Sequence, residues 1–129
     1  MQDRKRMTED FWRGIPSYEV YVSTLVREEV AAASDHIRKE MEKKIKDFHL
    51  LEINNEVEEL ADYYIEKGIF PEKYRSDALH VAVAVVNEIK YILSWNFKHL
   101  VKVKTRKMVN LTNEMLGYQS IEIIAPPEL

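Results

Sequence analysis

The segment with the clearest chemical potential is YRSDALHVAVAVV, residues 74 to 86, where one acid and one histidine interrupt an apolar helical run. Asp77 and His80 are three residues apart and share one face of a helix predicted from Ser76 to about Glu88. A carboxylate beside buried apolar residues needs a cation, a metal ion or a helix N-terminus to offset lost hydration. The pattern therefore predicts either a ligand site, or a first-turn acid or cap beside a hydrogen-bonded core histidine.

Further polar groups follow two of the predicted strands. Asn96 comes two residues after a strand at 91 to 94, and Glu28 and Glu29 follow a strand at 17 to 23. Ligands of α/β sheets bind beyond the carboxyl ends of the strands, so these groups and Asp77 could converge on one edge. Gathered carboxylates would bind Mg²⁺ or Mn²⁺, which polarise a phosphodiester and activate water.

A basic segment, FKHLVKVKTRK at 97 to 107, stands directly beyond Asn96. The whole chain carries 19 Lys and Arg against 22 Asp and Glu, a net charge of −3, so a general nucleic-acid coat is excluded and any such contact must be local. The candidate RNA-binding residues are Lys98, His99, Lys102, Lys104, Arg106 and Lys107. The alternative is a solvated loop and helix start.

The elements needed to position these residues alternate between strand and helix. Strands are predicted at 17 to 23, 49 to 53, 91 to 94 and 120 to 124, with a break between helices at Ser34 and Asp35 and a helix capped by Asn55. This alternation predicts one α/β domain, residues 1 to 129, with a mainly parallel sheet covered on both faces.

The helix that ends at Gly117 is expected to present two different faces. Met108, Leu111 and Met115 are predicted to face the core. Arg106, Asn110 and Asn113 are then predicted to face solvent, with a smaller chance of touching RNA.

Composition also bears on location. The chain has no cysteine, which excludes disulfides and thiolate metal sites and fits a reducing compartment. The segment MQDRKRMTEDFWRGI lacks the apolar core of a signal peptide, and the apolar run from Ala78 to Leu93 is too short and too polar for a membrane span. We expect a cytoplasmic protein without a membrane partner.

Three motifs in order, DALH, SWNFKHL and GYQSIEI, give the chain a resemblance to the PIN domain family, in the branch of the VapC-type toxin nucleases. The resemblance covers roughly Tyr18 to Leu129 and is most specific from Tyr74 onward. It implies a three-layer α/β fold and a Mg²⁺- or Mn²⁺-dependent endoribonuclease. It also implies RNA as substrate, an antitoxin protein as partner in a type II toxin–antitoxin pair, and a homodimer.

The family site, carried over by position, uses three residues of this chain. Glu29 matches the acid of the helix after the second family strand, with Glu28 as the fallback, and Asp77 matches the acid that opens the long buried helix. Both are the expected metal ligands. Asn96 stands where the family often has a fourth acid, and it would act on water or on a metal-bound water.

Two departures from the family pattern change the expected activity. The family opens with a hydrophobic strand ending in a catalytic Asp, whereas this chain opens with MQDRKRMTEDFW, which resembles the helix after that strand. We expect a gap between strands 18 to 23 and 91 to 94, closed by re-pairing, by a partner chain, or by residues upstream of Met1. Since Asn96 is also a neutral amide, we expect weak or no activity. The alternative is a degenerate PIN module that binds RNA or a protein without cleaving.

Overall fold

The computed structural model describes residues 19–93 and 102–124, which form short strands alternating with helices. The strands are β1 Tyr21–Ser23, β2 His49–Leu51, β3 Tyr91–Leu93 and β4 Glu122–Ile124; the helices are α1 Thr24–Ala31, α2 Asp35–Ile45, α3 Asn55–Glu66, α4 Arg75–Val86 and α5 Val103–Leu116, with a 3₁₀ turn at Glu72–Tyr74. The expected mixed α/β class is confirmed. The predicted strands at 17 to 23, 49 to 53 and 120 to 124 are each longer than the observed ones.

The strands form two parallel pairs. In one pair Tyr21 lies opposite His49, and in the other Tyr91 lies opposite Glu122. The expected parallel direction is confirmed for both pairs. Within the described ranges, however, the strands do not join into one sheet, because β1–β2 and β3–β4 share no ladder.

The core is built around α4, which packs chiefly against α3. Six consecutive or near-consecutive side chains of α4 are buried: Ala78, Val81, Ala82, Val83, Ala84 and Val85. Leu51 and Ile53 approach this core from the β1–β2 side, while Ile121 and Ile123 are buried in it beside β3. The prediction that this helix is covered on several sides is therefore confirmed, and both strand pairs rest on the same core.

The helix ends differ from the predicted ones in detail. Asn54, not Asn55, caps α3, because its Oδ1 accepts a hydrogen bond from the backbone N–H of Val57 at 3.0 Å. The predicted break between α1 and α2 is confirmed, with Ser34 at the N-cap position of α2. Helix α4 ends at Val86, so Glu88, which has a φ of 58°, does not belong to the helix face of Asp77 and His80.

The faces of α5 are the reverse of those predicted. Met108, Leu111 and Met115 are exposed, and Asn113 is completely buried. The hydroxyl of Tyr64, on α3, donates a hydrogen bond to Asn113 Oδ1. Since this pairing satisfies two polar groups inside the core, an amide can occupy a position that hydrophobicity alone assigns to an apolar residue.

Two other side chains of α5 bind the backbone of β4 and of the residue before it. The Asn110 amide accepts from the Ile121 N–H at 2.8 Å and donates to the Ile121 carbonyl at 2.9 Å. Arg106 donates to the Ile123 carbonyl at 3.4 Å. Glu122, between them, donates its N–H to the Lys90 carbonyl on the β3 side. The edge of β4 away from β3 is therefore bonded to side chains of α5.

None of the helices within the described residues is long and apolar enough to cross a bilayer.

Candidate functional site

Glu29 is held by a helix that begins directly at the end of β1. Ser23 is the last residue of β1 and also the N-cap of α1, where its Oγ accepts a hydrogen bond from the Val26 N–H at 3.2 Å. Val30 is the buried residue of α1. The side chain of Glu29, the residue before it, is half exposed and extends toward α4.

The Glu29 carboxylate contacts two residues of α4. The Ser76 hydroxyl donates to Glu29 Oε1 at 3.1 Å, and His80 Nε2 lies 3.3 Å from the same oxygen. Because an ionised carboxylate only accepts hydrogen bonds, His80 must carry its hydrogen on Nε2 in this contact. Ser76 and His80 are one helical turn apart and therefore hold one carboxylate oxygen between them.

Asp77 lies in the first turn of α4, between these two contacts in sequence, and it is half-buried. The N-terminus of a helix favours a negative side chain because the aligned peptide dipoles leave partial positive charge there. Arg75 of the same turn donates to Asp62 of α3 at 2.9 Å, and this ion pair ties the start of α4 to its neighbour. The geometry is compatible both with a ligand acid and with a first-turn acid.

The structure brings Glu29, a predicted site residue, into contact with α4, the helix that carries the predicted site residue Asp77. Glu29, rather than the fallback Glu28, contacts α4 beside Asp77, whereas Asn96 lies outside the described residues. The sequence interpretation missed Ser76 and the contact of His80 with Glu29. Ser76 and His80 are four residues apart and therefore share one face of the helix, and this spacing could have predicted that both contact the same group.

Glu29 and Asp77 are described residues with the chemistry to bind a divalent metal ion. The oxygens of Glu29 and Asp77 are of the type that Mg²⁺ and Mn²⁺ prefer. Among residues 19–93 and 102–124, however, no group of three or more His, Asp or Glu side chains is arranged to hold a metal ion. The described residues therefore supply a carboxylate, Glu29, that is held by hydrogen bonds from Ser76 and His80, and they do not complete a metal site around it.

The basic residues divide between solvent and the β3–β4 pair. Lys102 stands at the N-cap position of α5, and Lys104 and Lys107 are exposed in its first two turns. Arg106 is half-buried and bonded to β4, while Lys98 and His99 lie outside the described residues. Lys102, Lys104 and Lys107 are therefore available to an external phosphate.

A cavity of about 450 Å³ opens beside the same strands. Its lining includes Tyr91, Arg106, Asn110 and Glu122 together with apolar residues of β4. The polar groups of Arg106 and Asn110 already serve the backbone at Ile121 and Ile123. The cavity shares no residue with the Glu29, Ser76 and His80 cluster.

Comparison of the chain with known protein families, with curated proteins and with solved structures finds no match.

Proposed function

We propose that this chain is a PIN-like, Mg²⁺- or Mn²⁺-dependent endoribonuclease with a three-layer fold, and that its activity is low by itself. It acts on RNA in the cytoplasm as the toxin of a type II toxin–antitoxin pair, with an antitoxin protein as its partner. Glu29 and Asp77 are the metal ligands, and Asn96 contacts water or a metal-bound water.

The observation that carries this proposal is the meeting of α1 with the start of α4. Glu29 lies in α1, the helix that directly follows β1, and Asp77 lies in the first turn of α4, the most buried helix. The contacts of Glu29 with Ser76 at 3.1 Å and with His80 at 3.3 Å hold these two helices together. This juxtaposition is the one expected for acids that lie beyond the carboxyl ends of the strands of an α/β sheet. Two parallel strand pairs on one core are also compatible with a sheet that has an additional strand between them.

The residues around Glu29 prepare its carboxylate for a cation. Ser76 and His80 bond only one of its oxygens, Oε1, and this fixes the orientation of the group. Asp77 lies in the first turn of α4, at the positive end of the helix dipole. A bound divalent ion would polarise the phosphodiester and activate a water molecule. Lys102 and Lys104 would bind flanking phosphates.

The decisive experiment measures Mn²⁺ binding by calorimetry at near-neutral pH. We expect Asp77→Asn and Glu29→Gln to weaken binding at least tenfold, because each removes the charge of one ligand. Glu58→Gln is the control for Asp77, since Glu58 is also a first-turn acid, and Glu28→Gln is the control for Glu29. Equal Mn²⁺ affinity in Asp77→Asn and Glu58→Gln would contradict the assignment.

The second candidate function is a non-catalytic PIN-like module that binds RNA or a protein. It is favoured by the lack of a third metal-ligating side chain among the residues described. Adding a hydrophobic strand that ends in Asp before Met1 distinguishes the two functions. If the chain is a nuclease, the extended chain should cleave RNA in the presence of Mn²⁺. If it is a binding module, the extended chain should still bind without cleaving.

A further inference from the structure

The cavity of about 450 Å³ beside the β3–β4 pair is separate from the proposed metal site. Its volume falls within the range of small-molecule sites, about 300 to 1,000 Å³. Ile121 and Ile123 are buried in the core, so one face of β4 is turned inward. Tyr91 lies opposite Glu122 in the ladder, and paired residues of neighbouring strands project to the same face. Tyr91 and Glu122 therefore both project from the face that is turned away from the core.

The ring of Tyr91 forms an aromatic wall of this cavity. It is 39% exposed, and among residues 19–93 and 102–124 no other aromatic side chain is exposed to this extent. Lys90 Nζ lies 5.2 Å from the centroid of the ring, so a cation covers one of its faces. The other face is left for a planar ligand, and exposed aromatic rings of this kind stack on nucleobases. Lys90 also supplies a positive charge for the phosphate of a nucleotide.

Arg106 and Glu122 line the same cavity with opposite charges. Arg106 uses one N–H for the Ile123 carbonyl, and its guanidinium has further donors. Within the described ranges neither Arg106 nor Glu122 forms an ion pair, with the other or with a third side chain. A ligand that presents acceptors to a guanidinium and donors to a carboxylate would satisfy both.

Guanine is the nucleobase whose edges match this pair of side chains. Its N1–H and its 2-amino group are adjacent donors, and one carboxylate can accept from both. Its O6 and N7 are adjacent acceptors for a guanidinium. Adenine and cytosine place an acceptor beside their amino group, and uracil has one ring N–H between two carbonyls. Guanine therefore fits a carboxylate and a guanidinium together better than the other three bases.

We propose that this cavity binds a guanine base, which stacks on Tyr91, donates to Glu122 and accepts from Arg106. The base belongs to RNA or to a free guanine nucleotide, and its hydrogen bonds are the same in both. Binding requires neither a metal ion nor the residues Glu29 and Asp77. In RNA, the cavity would set the sequence preference of the proposed ribonuclease, and only this extension rests on the proposed function.

The first test titrates the full chain with GMP, AMP, CMP and UMP in the absence of divalent metal ions. Nuclear magnetic resonance follows the backbone amides during each titration. We expect GMP to bind at least about tenfold more tightly than the other three, because only guanine uses both charged side chains. The amide signals of residues 91 and 121–124 should shift. Equal affinities, or shifts confined to other residues, would overturn the proposal.

The second test removes single groups from the ligand. IMP lacks the 2-amino group that donates to Glu122, and 7-deazaguanosine monophosphate lacks the N7 that accepts from Arg106. Each should bind at least about threefold more weakly than GMP. Glu122→Gln should abolish the preference for GMP over IMP, whereas Glu66→Gln, a change at another exposed glutamate, should retain it. A preference that survives Glu122→Gln would contradict the assignment.

The third test removes the stacking surface. Tyr91→Leu should weaken GMP binding about tenfold, and Tyr91→Phe should retain it. Tyr63→Leu is the matched control, because Lys67 Nζ lies 5.2 Å from the Tyr63 ring and this second Lys–Tyr pair does not line the cavity. Circular dichroism establishes that each variant is folded. An equal loss in Tyr91→Leu and Tyr63→Leu would mean that the base does not stack on Tyr91.

The last comparison identifies the source of the base. A single-stranded oligoribonucleotide with one guanine among uracils is titrated beside a copy with inosine in that place. Tighter binding of the guanine oligonucleotide than of GMP assigns the cavity to RNA, and an affinity no higher than that of GMP assigns it to a free nucleotide. Equal binding of the guanine and inosine copies would overturn the proposal. Asp77→Asn should bind GMP as the parent does, so failure of the metal site and failure of the guanine site are distinguishable.

Discussion

A buried polar pair, Tyr64 and Asn113, lies in the otherwise apolar core. Both side chains are completely buried, and the tyrosine hydroxyl donates to the amide oxygen. Among the described residues, Asn113 Nδ2 has no hydrogen-bond partner. The pair fixes α5 against α3 by directional bonding, and its members depend on each other because either one alone would leave a buried polar group unsatisfied.

Burial raises the pKa of the Tyr64 phenol above its usual range. The folded state therefore holds the phenolic proton more tightly than the unfolded state, whose tyrosines ionise near pH 10. The stabilising effect of this proton is complete below about pH 10 and is lost as the pH rises further. We expect the free energy of unfolding, measured in urea, to fall as the pH rises above about 10, and to fall less in Tyr64→Phe.

Tyr21 and Tyr118 serve as internal controls for this pH dependence. A hydrogen bond to Glu19 raises the pKa of Tyr21, and burial raises that of Tyr118. Both remain in the Tyr64→Phe variant, so part of the alkaline slope should persist. An unchanged slope in Tyr64→Phe would mean that Tyr64 is not the dominant buried phenol.

At the scale of a single element, two neighbouring asparagines have different roles at the start of α3. Asn54 is the N-cap and binds the Val57 N–H, whereas Asn55 is the first helical residue. We expect Asn54→Ala to lower the free energy of unfolding by about 1 kcal/mol, because one N–H of the first turn loses its partner. Asn55→Ala should change it by no more than about 0.5 kcal/mol. Urea unfolding measures both, and a larger loss in Asn55→Ala would reverse the assignment.

The helices also differ in what the sequence could predict about them. Helix α4 was predictable because its apolar residues surround it, and the observed core agrees. The faces of α5 were not, since Asn110 and Asn113 are used inside the molecule as partners for Ile121 and Tyr64. Hydrophobic periodicity assigns polar residues to solvent, and it fails where hydrogen bonds satisfy them within the core.

For the whole molecule, the sequence predicted the class and the order of the elements but not the separation of the strands. Alternating strands and helices require parallel pairing, which β1–β2 and β3–β4 follow. Which strands become neighbours depends on contacts between distant residues, and these have no local signature. The same limit applies to the candidate site, where the choice between Glu28 and Glu29 follows from the direction of α1 relative to α4.

Burial is distributed unevenly over the molecule. Only Ile45 of α2 is buried, while α3 and α4 together contribute ten buried residues to the core. We expect α2 to open locally at a lower free energy than α3 and α4, because few apolar contacts are lost. Native-state hydrogen exchange should therefore show less protection for the amides of residues 39–45 than for those of 81–86. Equal protection would indicate that the described residues unfold as one cooperative unit.

The Asn110 amide binds the N–H and the carbonyl of Ile121, and Arg106 donates to the carbonyl of Ile123. These backbone groups, on the side of β4 away from β3, are therefore already bonded within the domain. A strand of another molecule would have to displace both side chains before it could pair there, so α5 protects this edge of β4 against edge-to-edge aggregation.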